Sequence, residues 1–253
     1  IASWIAFLAL LGYVLRDRRM RRYRLLGRFW RPDWPRLREL VRLGLPVSGV
    51  LLLEVAVFSA AVYVLGVIGT EQLAAHQIAI QCAAITFMIP FGLAQAATVR
   101  VGIAAGALDR DAIRLAGWAA FLMGLAFMAS MAVALWLLRW PIVGLFLDLT
   151  VPENLRVALH AVEFLAIAAL FQVFDGSQTI AMGALRGLKD TRVPMLIAAF
   201  GYWGLGFTIG CVAAFPLGLG GFGVWIGLAI GLAVVAALAT ARFASRERLG
   251  LIA

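Results

Sequence analysis

The stretch FQVFDGSQTIAMGALRGLKDT, residues 171–191, places a carboxylate, Asp175, inside a long apolar segment. Together with the apolar residues before it, this segment reaches the roughly 20 residues that a helix needs to cross a bilayer. Inserting an ionised carboxylate at that depth of the bilayer costs at least ~2.5 kcal/mol of free energy. The charge is tolerated only with a pairing group, a proton, a bound cation or a water-filled cavity. We therefore interpret Asp175 as a functional residue, with a simple helix kink as the alternative.

The composition indicates a membrane protein. Hydrophobic residues make up 64% of the chain and charged residues 14%, whereas a soluble domain is about half apolar. The net charge of +9 comes from basic residues that lie between long apolar runs, which is typical of loops at a membrane surface and not of a nucleic-acid-binding surface. We predict an all-α polytopic membrane protein that lies in the lipid bilayer and binds no nucleic acid.

Cys82 and Cys211 are isolated in apolar runs, so neither a disulfide nor a metal site is expected there.

Apolar runs predict six membrane-spanning helices after a shorter apolar segment. The predicted spans are 46–68, 76–99, 115–138, 157–183, 193–215 and 219–241. Pro46 should lie in the first turn of the first span, because proline is tolerated there.

The spans divide the chain into four parts. Residues 1–15 are expected to be the end of a transmembrane helix, 16–45 a basic loop, 46–241 a six-helix bundle, and 242–253 a tail. The apolar stretch PIVGLFLDL at 141–149 is too short to cross, so it is expected to form a surface helix or cap.

Basic residues predict the orientation. Alternating loops carry 20 of the 22 Lys and Arg residues, and the other loops carry only Arg139 and Arg156. Because basic loops stay on the cytoplasmic side, the arginine-rich loop and the C-terminus are predicted to be cytoplasmic in a multi-pass protein of the cell (inner) membrane.

Glu54 and Asp175 lie deeper in predicted spans than the other acids. At 1.5 Å per residue, Glu54 is ~12 Å from Pro46, and Asp175 is ~27 Å from Val157 at the opposite side. The two depths match, so we predict one shared site. Two carboxylates in low dielectric cannot both stay charged without a cation, so their protonation should be coupled to cation occupancy. H⁺ or Na⁺ would be the ion, with no other metal or cofactor.

Further residues can complete such a site. Candidate supporting polar groups are Gln81, Gln172, Ser177 and Gln178. Candidate cavity-lining aromatic residues are Phe58, Phe87 and Phe174. His76 and His160 are expected at the interface because they fall near the ends of predicted spans. No phosphate-binding loop, HExxH or nucleophile elbow is present in the sequence, so we predict no enzyme activity.

Three stretches carry a family resemblance: RLGLPVSGVLLLEVAVF at 42–58, AAHQIAIQCAAITFMIPFGLAQAATVRVG at 74–102, and FQVFDGSQTIAMGALRGLKDTRVP at 171–194. In these stretches the chain resembles the C-terminal half of the multidrug and toxic compound extrusion (MATE) family, in particular its NorM-like branch. The resemblance implies that residues 1–15 are the end of helix six, that 16–45 join two lobes, and that the six spans are helices seven to twelve.

The resemblance also implies an activity: export of amphiphilic, often cationic drugs in exchange for Na⁺ or H⁺. It assigns cation binding and coupling to Glu54 on helix seven and Asp175 on helix ten. Phe171 stands where some members have a tyrosine, which makes protons more plausible than Na⁺. The family moves substrate between two lobes, so the partner would be a missing N-terminal lobe. The alternatives are a lipid-linked oligosaccharide flippase and a non-transporting membrane scaffold subunit.

Overall fold

Seven helices form the part of the chain that the computed structural model describes, residues 2–17 and 32–252, and these residues contain no strand. They are α1 Ala2–Arg16, α2 Trp34–Ile68, α3 Thr70–Gly106, α4 Arg110–Phe146, α5 Asn154–Gly187, α6 Arg192–Ala214 and α7 Gly220–Ala244. Helices α2 to α7 are each long and apolar enough to cross a membrane. The prediction of an all-α polytopic membrane protein is confirmed. Much of the predicted basic loop at 16–45 lies outside the described residues.

The chain divides into two units, Ile1–Gly44 and Leu45–Ala253. The first unit holds α1 and the start of α2. The second holds the rest of α2 and helices α3 to α7.

The helices extend beyond the predicted spans. In the first unit, α2 begins at Trp34, where the side chain of Asp33 accepts a hydrogen bond from the backbone N–H of Arg36 (3.3 Å). Pro46 therefore lies inside the helix and not in its first turn, so that prediction was wrong. The missing N–H removes only one hydrogen bond of a 35-residue helix, which continues on both sides.

The expected surface helix at 141–149 was also wrong. Helix α4 runs through Pro141 to Phe146, and only residues 147–153 leave it before α5. The start of α4 is capped by Asp109, whose side chain accepts from the backbone N–H of Ala112 (2.9 Å). This cap stabilises a helix start five residues before the predicted span, so α4 is longer at both ends than hydropathy alone predicts.

Helix α5 is the centre of the bundle and contacts α3, α4 and α7. Its buried residues run from Ala158 to Leu185 and include Phe164 and Phe171. Both rings contact the fully buried Trp225 of α7, with centroid distances of 6.2 Å and 5.3 Å. This aromatic cluster fixes the height of α5 against α7, next to Asp175.

Small residues allow the helices to approach closely. A Cβ on Gly183 of α5 would lie 2.5 Å from the backbone oxygen of Ala94 in α3, and the Thr98 hydroxyl donates to the Gly183 carbonyl (2.8 Å). Between α6 and α7, a Cβ on Gly227 would overlap the backbone of Gly206 and Gly210. In lipid, such close backbone contact replaces the hydrophobic drive that packs helices in water.

Helix α6 changes its winding in the middle. It consists of an α-helix at Arg192–Ala199, a π-helix at Phe200–Phe207 and a second α-helix at Thr208–Ala214. The π-helical sequence FGYWGLGF has three glycines, which tolerate the wider turn. Such segments are rare and often occur at functional sites. The π-helix brings Tyr202 and Trp203 into contact with other helices, as described next.

Candidate functional site

The two predicted acids meet between α2 and α5. The amide nitrogen Nε2 of Gln178 lies 3.4 Å from Glu54 Oε1 and 3.3 Å from Asp175 Oδ1. Because an amide NH₂ carries two hydrogens, one side chain can donate to both carboxyl groups. Asp175 is 7% exposed and Gln178 is 1% exposed, so the connection is shielded from its surroundings.

Tyr202 fixes the orientation of this bridging amide. Its hydroxyl donates to Gln178 Oε1 at 2.5 Å, and Tyr202 itself is 2% exposed. With its oxygen accepting from Tyr202, the Gln178 amide must turn its NH₂ towards the acids. Nearby, the indole N–H of Trp203 donates to the backbone oxygen of Leu53 (3.2 Å), which ties the π-helix to α2 next to Glu54.

Sequence reasoning missed Tyr202. A signal was available, because a tyrosine in the middle of an apolar span brings a hydroxyl that needs a hydrogen-bond partner. The neighbouring glycines at 201, 204 and 206 mark the same position as irregular. Which partner the hydroxyl finds depends on the π-helical turn, and no periodicity argument predicts that turn.

A cavity of about 370 Å³ lies beside the acids, between α2, α3 and α5. Glu54, Asp175, Phe58 and Phe87 are among the residues in its wall. Phe171 joins them and contacts Phe58 edge to face, with ring centroids 6.0 Å apart. The volume lies within the ~300–1,000 Å³ range of small-molecule sites, and a mainly apolar wall with a few polar groups is typical of them.

The other predicted residues differ in their placement. Gln172 is fully buried and accepts a hydrogen bond from the Thr86 hydroxyl of α3 (2.7 Å). The Ser177 hydroxyl donates to the Val173 carbonyl of its own helix and not to the acids (2.7 Å). Gln81 is exposed on α3, where Gln77 and not Gln81 lies in the cavity wall.

Phe174 lines a separate apolar groove and not the cavity with Glu54. It precedes Asp175, and neighbouring helix residues point about 100° apart, so the two side chains leave α5 on different faces. Residues Phe171 and Asp175, four apart, share the face towards the cavity.

His76 is buried and not interfacial, so its predicted position was wrong. Its ring is 1% exposed, lies 5.4 Å from the Trp225 ring and forms part of the cavity wall. Helix α3 begins at Thr70, six residues before the predicted start, so His76 is already in the second turn. His160, by contrast, is partly exposed, and its Nδ1 lies 3.6 Å from Glu163 Oε2.

The acid pair offers oxygen ligands of the kind that a small cation needs. In the described parts of the chain, no group of three or more His, Cys, Asp or Glu side chains is placed to hold a metal ion. The acid pair offers carboxylate oxygens, which suit H⁺ and hard cations such as Na⁺. A buried pair of negative charges is costly unless a cation neutralises it, and the donors of Gln178 offset only part of that cost.

Six apolar helices, with an acid pair beside a cavity between three of them, define a multi-pass membrane protein with a polar site between its helices. The family model MatE matches residues 46–212, and the chain belongs to this family. The resemblance inferred from the three sequence stretches is thereby confirmed.

Two curated relatives show how much of a protein this chain covers. The chain is 52% identical over 251 residues to a "Probable multidrug resistance protein NorM" of Mesorhizobium japonicum, covering 98% of this chain and 53% of the relative. It is 53% identical over 242 residues to the protein of the same name from Brucella suis biovar 1, covering 96% of this chain and 51% of the relative. The chain thus spans about half the length of the relatives it matches.

Solved structures share the fold. The eukaryotic MATE transporter AtDTX14 superposes with a TM-score of 0.81 at 20% identity, covering 98% of this chain and 56% of that chain. A multidrug resistance MATE family transporter in an outward-facing conformation gives a TM-score of 0.77 at 19% identity, covering 88% of this chain and 50% of that chain. At these identities the likeness shows the fold alone.

Proposed function

We propose that the complete protein exports amphiphilic, often cationic compounds in exchange for H⁺ or Na⁺, and that this chain is its C-terminal lobe. The observation that carries the proposal is the Gln178 amide, which lies within reach of both Glu54 and Asp175 at the wall of a drug-sized cavity. The two relatives carry the name "Probable multidrug resistance protein NorM", and these names support the same function.

The proposed mechanism is competition between the drug and the coupling ion for the negative charge of the two carboxylates. A cationic drug in the cavity and a small cation at the acids would neutralise the same two carboxylates, so each weakens the binding of the other. Phe58 and Phe87 offer aromatic faces to the apolar or cationic part of the drug. Two lobes that rock around this site would then expose it to each side of the membrane in turn.

The proposed orientation places the arginine-rich loop at 16–45 and the C-terminus in the cytoplasm of a cell whose inner membrane holds the protein. The 20 basic residues on one side against two on the other support it. On the same side, Arg242 Nε lies 2.6 Å from Asp190 Oδ2, an ion pair that joins the end of α7 to the loop after α5.

A flippase for pyrophosphate-linked lipids is less well supported. Such a carrier needs cationic side chains to meet the pyrophosphate. The described cavity has two acids in its wall and neither lysine nor arginine.

Reconstitution of the complete protein tests the proposal. Efflux of a fluorescent cationic drug from proteoliposomes is measured with an imposed H⁺ gradient and, separately, with an imposed Na⁺ gradient. One gradient is expected to drive efflux, and the responding gradient identifies the coupling ion. Efflux at the same rate with and without either gradient would overturn cation coupling, and no efflux under any condition would favour the non-transporting scaffold alternative.

Removing the Tyr202 hydroxyl should weaken coupling without disturbing the fold. Tyr202→Phe keeps the ring but frees the Gln178 amide, and a hydrogen bond of about 1 kcal/mol corresponds to a shift of roughly fivefold in apparent affinity for the coupling ion. The affinity is measured from the dependence of efflux rate on ion concentration. Tyr63→Phe is the matched control, because Tyr63 is 78% exposed on α2. Equal shifts in apparent ion affinity in both variants would show that the Tyr202 hydroxyl does not act at the site.

A further inference from the structure

A second, larger concavity lies between α4, α5 and α7. It has a volume of about 890 Å³ and is lined by fifteen residues, all of them Ala, Val, Leu, Ile, Phe or Trp. On α5 it uses residues such as Leu170 and Phe174, which leave the helix on a different face from Asp175. We call this concavity the α4/α5/α7 groove. The indole N–H of Trp136 is the one polar side-chain group among its lining residues.

The groove lies within the membrane-spanning part of the bundle. Its walls are Ala132 to Leu137 in the second half of α4, Ala166 to Phe174 in the middle of α5, and Phe222 to Ala233 in the first half of α7. It therefore runs from the middle of the bundle towards the side where α4 ends and α5 and α7 begin. That side also carries Arg139 and Arg156.

Arg139 lies beside the groove, stacked on one of its wall residues. Its guanidinium carbon lies 4.8 Å from the ring centroid of Trp136, and Trp136 is part of the groove wall. Stacking on the indole holds the cation at the edge of the apolar surface. Arg139 is three residues beyond Trp136, so it lies ~4.5 Å further along the helix axis towards the end of α4.

Among the described residues, Arg139 has no carboxylate within salt-bridge distance. The other arginine on that side, Arg156, lies 3.7 Å from Glu71 Oε1. The groove thus combines a long apolar surface with a guanidinium stacked on one of its wall residues, and no carboxylate in the described ranges 2–17 and 32–252 pairs with that guanidinium.

We propose that the α4/α5/α7 groove binds one acyl chain of a membrane glycerophospholipid and that Arg139 binds its phosphate. The planar guanidinium matches phosphate geometry with two parallel hydrogen bonds. In lipid, apolar lining gives no hydrophobic advantage, so selectivity must come from shape and from the headgroup contact. The groove supplies the shape because it is concave, and Arg139, stacked on the wall residue Trp136, supplies a cation for the headgroup.

A drug fits this groove less well. Small-molecule sites combine an apolar wall with a few placed polar groups that orient the ligand. The fifteen lining residues offer only the Trp136 indole for that purpose. An acyl chain needs no such groups, and its headgroup needs only a cation at the surface. The proposal is independent of the transport activity proposed above.

Native mass spectrometry tests it without any transport measurement. The complete protein is stripped of lipid in detergent, incubated with palmitoyl-oleoyl phosphatidylglycerol or phosphatidylethanolamine, and the bound lipids per protein are counted. The wild type is expected to retain one phospholipid more than Arg139→Gln at matched lipid concentration, with the apparent affinity of that site reduced about tenfold. Arg156→Gln, which alters an acid-paired arginine on the same side, should leave the count unchanged.

A groove-filling variant keeps the test decisive. Ala166→Phe places a ring in the groove and should remove the same bound lipid while Arg139 remains. Elution from size exclusion in detergent checks that each variant is folded. Equal lipid counts in the wild type, Arg139→Gln and Ala166→Phe would overturn the proposal. A lipid lost equally in Arg139→Gln and Arg156→Gln would also overturn it, because general surface charge would then explain the binding.

Discussion

Glu54→Gln and Asp175→Asn are each expected to reduce cation-coupled efflux by about 10- to 100-fold in the complete protein, and the double variant is expected to lose little more. The range corresponds to the ~1–3 kcal/mol lost when a charged group leaves a buried hydrogen-bonded site. Both acids lie within hydrogen-bonding reach of the same Gln178 nitrogen. Groups that act as one unit show such non-additive effects, since losing either member already disables the pair.

The amide replacements keep the shape of each side chain, so the fold should survive. Initial rates of efflux in proteoliposomes measure the effect, with protein amount and monodispersity matched between variants. Glu163→Gln is the control, because Glu163 also lies on α5 but its side chain is 58% exposed. Wild-type rates in both single variants would refute the role of the acids. Losses that multiply in the double variant would mean that the two acids act at separate sites.

Gly183→Ala is expected to destabilise the folded bundle by about 1–3 kcal/mol, the usual cost of overpacking a tight contact. The new methyl group would lie 2.5 Å from the Ala94 oxygen and 3.0 Å from the Ala94 Cα. These are backbone atoms, so no rotamer change relieves the overlap. Helices α3 and α5 must move apart, and the hydrogen bond from Thr98 to the Gly183 carbonyl is then lost or lengthened.

Gly92→Ala is the matched control for this prediction. Gly92 is also helical, in α3, but a Cβ there would meet nothing within 4 Å. Alanine is the better helix former by up to ~1 kcal/mol, so this variant should be neutral or slightly stabilising. The melting temperature of the purified protein in detergent, followed by the loss of the monodisperse peak, compares the two. Equal melting temperatures would show that α3 and α5 are not packed as closely as described.

Hydropathy predicted the number and order of the spans because each apolar run is long and is separated from the next by charged residues or, at 216–218, by proline and glycine. It did not predict helix ends, since Pro46 and Pro141 both lie inside helices that continue past them. A proline disfavours a helix interior, but a helix in lipid has few alternatives for its backbone hydrogen bonds, and neighbouring turns can absorb the defect. The start of α4 is stabilised by the Asp109 cap, which hydropathy does not register.

The acids of the candidate site could be predicted because an intramembrane carboxylate is costly and therefore rare. Their depths along α2 and α5 follow from helix rise, and the structure brings the two side chains to one amide. The rest depends on helix rotation and on the π-helix in α6. Tyr202 enters the site through that irregular turn, and Phe174 leaves it because it lies on another face of α5.

Competition between a cation and a drug tests the central claim most directly. Equilibrium binding of tetraphenylphosphonium to the complete protein is measured at graded H⁺ and, separately, graded Na⁺ concentrations, for the wild type and for Asp175→Asn. The account predicts that wild-type affinity falls as the coupling ion increases and that Asp175→Asn loses this dependence. The claim would be contradicted if wild-type affinity for tetraphenylphosphonium did not change with either ion. It would also be contradicted if Asp175→Asn kept the wild-type dependence of affinity on ion concentration.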